Sequence, residues 1–283
     1  MKDDFSLPET VLIENRPQEM MVDYIELNQK AWDERTSIHF RSKMYDVDGF
    51  LNGGSSLKEI ELSEVRDVDG KTLLHLQCHF GLDTLSWARK GAIVTGVDFS
   101  PKAIKKANEL KERTALQGEF ICADIYAYEQ VATSKFDIVF VSYGALNWLP
   151  DLNAWARLVS KSLKENGCLH LIEFHPAYDL HCGEPYFSQV APEIYESGTY
   201  TENGDGLKMQ MATWPHPLSE VISALIGNGI TIDHLHEFPF SPYNCFEGLE
   251  EKETGRFCLK NTVHPIPLVY SIKGTKKGKP SGV

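Results

Sequence analysis

Lys71–Phe99, KTLLHLQCHFGLDTLSWARKGAIVTGVDF, decides how this chain folds. Thr72–Leu76 is a short apolar run, as expected for a strand buried on both faces. Gln77–Gly81 is too short and irregular to be anything but a turn. Leu82, Leu85 and Ala88 recur at helical spacing over Asp83–Lys90. Ile93–Asp98 is apolar, β-branched and closed by an acid. Strand, turn, helix and strand make half of a nucleotide-binding α/β unit. The helix start offers free N–H groups to a ligand, and Asp98 can accept two hydrogen bonds from a ribose diol.

The same rhythm continues outward. Ser100-Pro101 opens a helix through a cap and a first-turn proline, running to about Leu116. Strands follow at Glu119–Ala123, Phe136–Ser142 and Cys168–Phe174, with a helix at Leu152–Leu163. Alternation of this kind predicts an α/β fold, with a mostly parallel sheet and helices on both faces. The rhythm breaks after His175-Pro176. A stretch of about forty residues rich in Tyr, Gly, Glu, Pro and Thr reads as an insertion with short strands covering the site. A helix at Leu218–Asn228 and strands at Ile230–Phe238 and Leu268–Ile272 complete the pattern. Before the unit, Met20–Trp32 carries helical apolar spacing, followed by Arg35, His39, Phe40, Arg41 and Tyr45. This predicts a division into an N-terminal arm (1–68), an α/β core (69–176), an insertion (177–215), a C-terminal helix with two strands (216–273) and a frayed basic tail (274–283).

The chain has 283 residues and a formal net charge of -12, with no basic stripe of the kind that nucleic acid requires. No apolar run is long enough for a membrane span, and the acidic start lacks a signal core. A cytoplasmic chain with no nucleic-acid or membrane partner is expected. The six cysteines form no Cys-x-x-Cys pair and read as buried thiols.

Five strand–helix units followed by two late strands resemble the class I S-adenosylmethionine-dependent methyltransferases, from about Lys71 to Ile272. HLQCHFG (75–81) stands at that family's glycine-rich first motif and GVDFSPKAI (96–104) at its second. CADIY (122–126), FDIVFVSYGALNWLPD (136–151) and SLKENGCLHLIEF (162–174) stand at the later ones. The stretch LLHLQCHFGLDTLSWARKGAIVTGVDFSP also resembles a bacterial small-molecule subgroup. The resemblance implies a Rossmann-like seven-stranded sheet, S-adenosyl-L-methionine as cofactor and a small-molecule methyl acceptor. It places the ribose on Asp98, the adenine amino group on Asp124, and Ile125 and Phe99 against the adenosine.

Gln77 and His79 replace two of the motif's three glycines, leaving Gly81, and His75 replaces the usual acid. Glycines there permit left-handed backbone and close ligand approach. Gln77 and His79 either cap the turn or hydrogen-bond the methionyl end of the cofactor. Ser142 and Tyr143, at the carboxyl edge of the fourth strand, stand where methionine and acceptor meet; Asn147 and Trp148 lie just beyond. His175 is a candidate general base and Tyr143 a second catalytic candidate. Arg35 suits the cofactor carboxylate as a bidentate donor. His234 and His236 alternate on one strand, but no third ligand is apparent, so no metal is expected. The aromatic load of the insertion hints at a planar acceptor. An NAD-dependent oxidoreductase and a non-catalytic cofactor-binding module stand as alternatives.

Overall fold

Residues 18–204 and 206–278 are described by the structure, a computed structural model. The N-terminal arm consists of α1 (Gln18–His39), α2 (Val47–Leu51) and α3 (Glu59–Glu64). The core follows as β1 (Thr72–Leu76), α4 (Leu82–Arg89), β2 (Ile93–Asp98), α5 (Pro101–Thr114), β3 (Glu119–Cys122), α6 (Ile125–Val131), β4 (Phe136–Ser142), α7 (Leu152–Ser162) and β5 (Leu163–Phe174). After it come α8 (Ala177–His181), β6 (Glu193–Ser197), β7 (Met209–Thr213), α9 (Leu218–Gly227), β8 (Ile230–Phe238), β9 (Leu249–Glu253), β10 (Arg256–Leu259) and β11 (Val269–Lys276).

Seven strands form one sheet in the order β3-β2-β1-β4-β5-β11-β8. β1 to β5 pair in parallel, and β11 runs antiparallel between β5 and β8. The order reverses between β1 and β4, so a crevice opens beyond their carboxyl ends. Apolar residues cover both faces of the central strands, as the unbroken runs in β1 and β4 require. Trp155 of α7 is buried on one face with Leu74, Val139 and Leu171. Trp87 of α4 is buried on the other with Leu73, Ile138 and Phe140.

β5 begins at Leu163 rather than Cys168, and three other differences from the sequence reading have physical reasons. α1 continues to His39, although its apolar stripe ends near Ala31. Beyond that point the buried residues are Arg35, which lines the cavity, and Thr36 and His39, polar side chains whose burial hydropathy does not register. β11 extends to Lys276, so the expected basic tail begins inside the sheet, paired with β5 and β8; residues 279–283 lie outside the described ones. The aromatic loop between the last two sheet strands contains the hairpin β9–β10. The cysteines also differ: Cys78 is buried, but Cys122 and Cys182 are exposed. Among the described residues no helix is long and apolar enough to cross a membrane.

The insertion forms the antiparallel hairpin β6–β7. It is tied to the arm by Asn28, whose Nδ2 donates to the Ala212 carbonyl at 2.8 Å and whose Oδ1 accepts from the Ala212 N–H at 2.9 Å. The arm and the insertion thus meet over the crevice.

Candidate active site

A cavity of about 510 Å³ lies at the carboxyl ends of β1, β2 and β4, within the usual size range of small-molecule sites. His75, Gln77, His79, Gly81, Asp98, Phe99, Asp124, Ile125, Ser142, Tyr143 and Arg35 all line it. One residue named from sequence does not. The His175 ring bonds Glu237 through Nε2 at 2.9 Å and accepts from the Ala177 N–H through Nδ1 at 3.0 Å. Both ring nitrogens are engaged outside the cavity, so His175 is withdrawn as the base.

The turn after β1 keeps the shape that glycines usually provide. Gln77 (φ 56°), His79 (φ 50°) and Gly81 (φ 77°) are all left-handed. For an L-residue this costs about 1–2 kcal/mol, so side chains are retained at a conformational cost. Gly81 has a second constraint, since a Cβ would stand 2.6 Å from the Phe120 ring. The side chains bridge outward. Gln77 Nε2 donates to the Ala145 carbonyl at 2.7 Å, while its Oε1 is buried without a partner. His79 Nε2 meets His39 Nδ1 at 3.0 Å, while its Nδ1 is buried without a partner. Burial pushes the His79 and His39 imidazoles down, His39 to about 3, so both are neutral at pH 7.

Asp98 ends β2 with its Oδ2 accepting from the His79 N–H at 2.8 Å and its Oδ1 from the Ser100 N–H at 2.9 Å. Burial raises its pKa to about 6 against those bonds. Ser100 caps α5, its Oγ accepting from the Ala103 N–H at 3.0 Å, which leaves Asp98 free of that role. Asp124 caps α6 with one oxygen, Oδ1, accepting from Tyr126 and Ala127 N–H at 2.9 and 3.2 Å. The turn-capping and ligand-binding readings of Asp124 are therefore compatible.

Arg35 is buried between Trp32 and Trp148, its Cζ 5.3 and 5.5 Å from their ring centroids. Its Nη2 donates to the Gly198 carbonyl at 2.9 Å, and its Nε is buried without a partner. It makes no ion pair among the described residues. A buried cation of this kind calls for an anion.

The remaining residues in or against the cavity wall are His75, named from sequence, and several that carried no sequence signal. His75 bonds Thr84 Oγ1 through Nδ1 at 2.8 Å; burial takes its pKa to about 3, so the imidazole is neutral at pH 7. Asp83 accepts from Ser56 Oγ at 2.6 Å and from Ser142 Oγ at 3.3 Å. Glu61 of α3, fully buried, accepts from the Tyr143 hydroxyl at 2.9 Å, and its other oxygen has no partner. Burial, and then the nearby Asp83, push the Glu61 carboxyl well above the usual carboxylate range. Glu173 shapes the turn after β4 by accepting from the N–H groups of Gly144, Ala145 and Leu146. That turn places Tyr143 (φ 35°) in left-handed backbone. Tyr243 and Phe246, from beyond β8, together with Phe174, Tyr195 and Tyr200, give the same cavity an aromatic wall.

His234 and His236 lie outside the cavity. The structure supplies the third group that the sequence did not show: Glu64, bonded to both rings.

The comparisons bear on the fold. A family model described as "Methyltransferase domain" matches residues 73–167. A ubiquinone biosynthesis O-methyltransferase from Idiomarina loihiensis is 27% identical over 130 residues, 44% of this chain and 53% of that protein. One from Xanthomonas oryzae pv. oryzae is 29% identical over 133 residues, 46% of this chain and 55% of that protein. The matched region thus spans about half the length of these curated relatives. Among solved structures, a putative S-adenosylmethionine-dependent methyltransferase from Listeria monocytogenes superposes with a TM-score of 0.53 at 18% identity, covering 76% of this chain and 95% of that one. The complex of DhpI with SAH gives 0.55 at 14% identity, covering 90% and 98%. These structures share the fold.

Proposed function

We propose that this chain, whose core is a class I S-adenosylmethionine-dependent methyltransferase domain, methylates a hydroxyl group on a small planar acceptor held in the same cavity. The observation that carries this reading is that one cavity gathers both strand-tip carboxylates, three buried side-chain atoms without partners and a tyrosine backed by a buried acid. The curated relatives are named as O-methyltransferases, which favours oxygen as the acceptor atom.

The residues fit the cofactor. Asp98 accepts the ribose diol, and the free oxygen of Asp124 accepts the adenine amino group between Phe99 and Ile125. Arg35 balances the methionyl carboxylate. His79 Nδ1 and Gln77 Oε1, buried without partners, find theirs on the methionyl end. When bound, the cofactor supplies an electrophilic methyl on a sulfonium that is already a good leaving group. Holding the acceptor oxygen in line is then worth an effective molarity on the order of 10⁵–10⁸ M.

Tyr143 takes the place of His175 as the group beside the acceptor. Its hydroxyl oxygen receives the acceptor's proton while its own proton passes to Glu61, so the proton leaves the acceptor as the O–C bond forms and ends on a carboxylate. Burial keeps Tyr143 itself neutral, well above its ordinary range, so it works as a relay rather than as a phenolate. The arm and the β6–β7 hairpin exclude water, which strengthens these contacts.

The test is release of S-adenosylhomocysteine across a panel of phenols and catechols, beside calorimetry with S-adenosylhomocysteine. Turnover that vanishes in Tyr143→Phe while cofactor affinity stays level supports the reading. Cofactor binding with no turnover on any acceptor supports a non-catalytic module instead.

A further inference from the structure

We propose that Glu64, His234 and His236 form a binding site for one divalent transition-metal ion, distinct from the cavity. Glu64 closes α3, and the two histidines alternate along β8. The Glu64 carboxylate spans both rings, with Oε2 3.0 Å from His234 Nε2 and Oε1 2.8 Å from His236 Nδ1. The rings stack at 4.4 Å between centroids and 17° between planes, so both present a nitrogen to the same carboxylate. One donor atom from each residue lies within 4.8 Å of the others. Ligand atoms around a tetrahedral ion with bonds of about 2.0–2.1 Å stand ~3.3 Å apart. Small side-chain rotations therefore suffice to exchange the hydrogen bonds for coordination.

The donor set selects the ion class. Two imidazoles and one carboxylate suit zinc, nickel, cobalt or copper, whereas calcium and magnesium call for oxygen ligands. Glu64 is nearly buried and His236 is half-exposed, so water completes the outer side of the coordination shell. One charge opposes the ion. Lys273 of β11 stands in register with His234 on one side and with the buried His170 of β5 on the other. Its ammonium weakens the binding of a cation there. The ion would fasten α3 to β8. Because α3 also carries Glu61, it would stiffen one wall of the cavity without touching it.

Calorimetry with Ni²⁺ on tag-free, chelator-stripped protein tests the site, since nickel favours imidazole over the exposed thiols. The expected result is one Ni²⁺ per chain in the parent, at least tenfold weaker binding in Glu64→Gln and His236→Gln, and tighter binding in Lys273→Gln. Equal affinity in parent and variants, or no saturable binding in the parent, overturns the proposal. If circular dichroism shows that Glu64→Gln does not fold, the half-exposed His236→Gln decides.

Discussion

His39 and His79 share a hydrogen bond of 3.0 Å, and through it the N-terminal arm holds the turn that follows β1. The second nitrogen of His39 meets Thr199 Oγ1 at 2.5 Å, so three distant segments join in one polar chain at the cavity. Neither imidazole is protonated at pH 7, so the chain is a run of neutral hydrogen bonds that acidification within the physiological range leaves intact.

His79 separates backbone strain from side-chain function. Replacement by Gly removes the left-handed penalty, and replacement by Ala keeps it, so His79→Gly should be more stable than His79→Ala by about 1–2 kcal/mol in urea denaturation. Both lose the ring and should bind S-adenosylhomocysteine roughly fivefold more weakly, the worth of about one hydrogen bond. Parent-like affinity in both would show that the ring only supports the turn.

Asp98→Ala removes a charge-assisted contact worth about 1.5–3 kcal/mol, which predicts cofactor affinity lower by roughly ten- to a hundredfold in calorimetry. Because Asp98 also holds the N–H groups of His79 and Ser100, Asp98→Asn serves as the milder control.

The same residue gives the binding a pH dependence. Its folded-state pKa of about 6 lies above the ordinary value, so the free protein holds this proton more tightly than an unfolded chain does. Asp98 by itself therefore makes stability fall as pH rises between its ordinary value and about 6. A ribose diol donates to the ionised form, so cofactor affinity moves the other way and weakens as pH falls. About tenfold weaker binding at pH 5 than at pH 7 is expected, and Asp98→Asn should flatten the profile.

Tyr143→Phe and Glu61→Gln should each lower turnover by roughly a hundredfold or more with little change in cofactor affinity. Turnover should rise with pH to a midpoint above the usual carboxylate range, as Glu61 loses its proton. His175→Ala should keep parent-like kinetics, and a loss as large as that in Tyr143→Phe would restore His175 as the base.

Asn28→Ala leaves the N–H and C=O of the fully buried Ala212 unpaired. The expected cost is about 2–4 kcal/mol in chemical denaturation, with faster amide exchange over residues 209–213. Unchanged exchange there would mean that the arm does not hold the hairpin.

The sequence by itself determined the framework. Thr72–Leu76, Ile93–Asp98 and Phe136–Ser142 are strands with the boundaries their apolar runs imply, and the Ser100-Pro101 start of α5 follows from its cap and proline. Asp98 and Asp124 line the cavity, which lies where open α/β sheets bind ligands, beyond the carboxyl ends of the parallel strands. Such signals are local: cap chemistry and the periodicity of burial are written within about ten residues, and a linear reading recovers them.

Tertiary structure decided the rest. Glu61 reaches Tyr143 across 82 positions, Glu64 reaches His234 across 170, and Asn28 reaches Ala212 across 184. No pattern within either partner marks such pairs, because a buried acid and an exposed one are the same letter until the chain closes around them. His175 shows the converse: its placement before a proline at a strand end drew attention, but Glu237 and the Ala177 N–H, both brought in by folding, occupy its nitrogens. Where an interaction depends on which groups lose water together, only the folded chain specifies it.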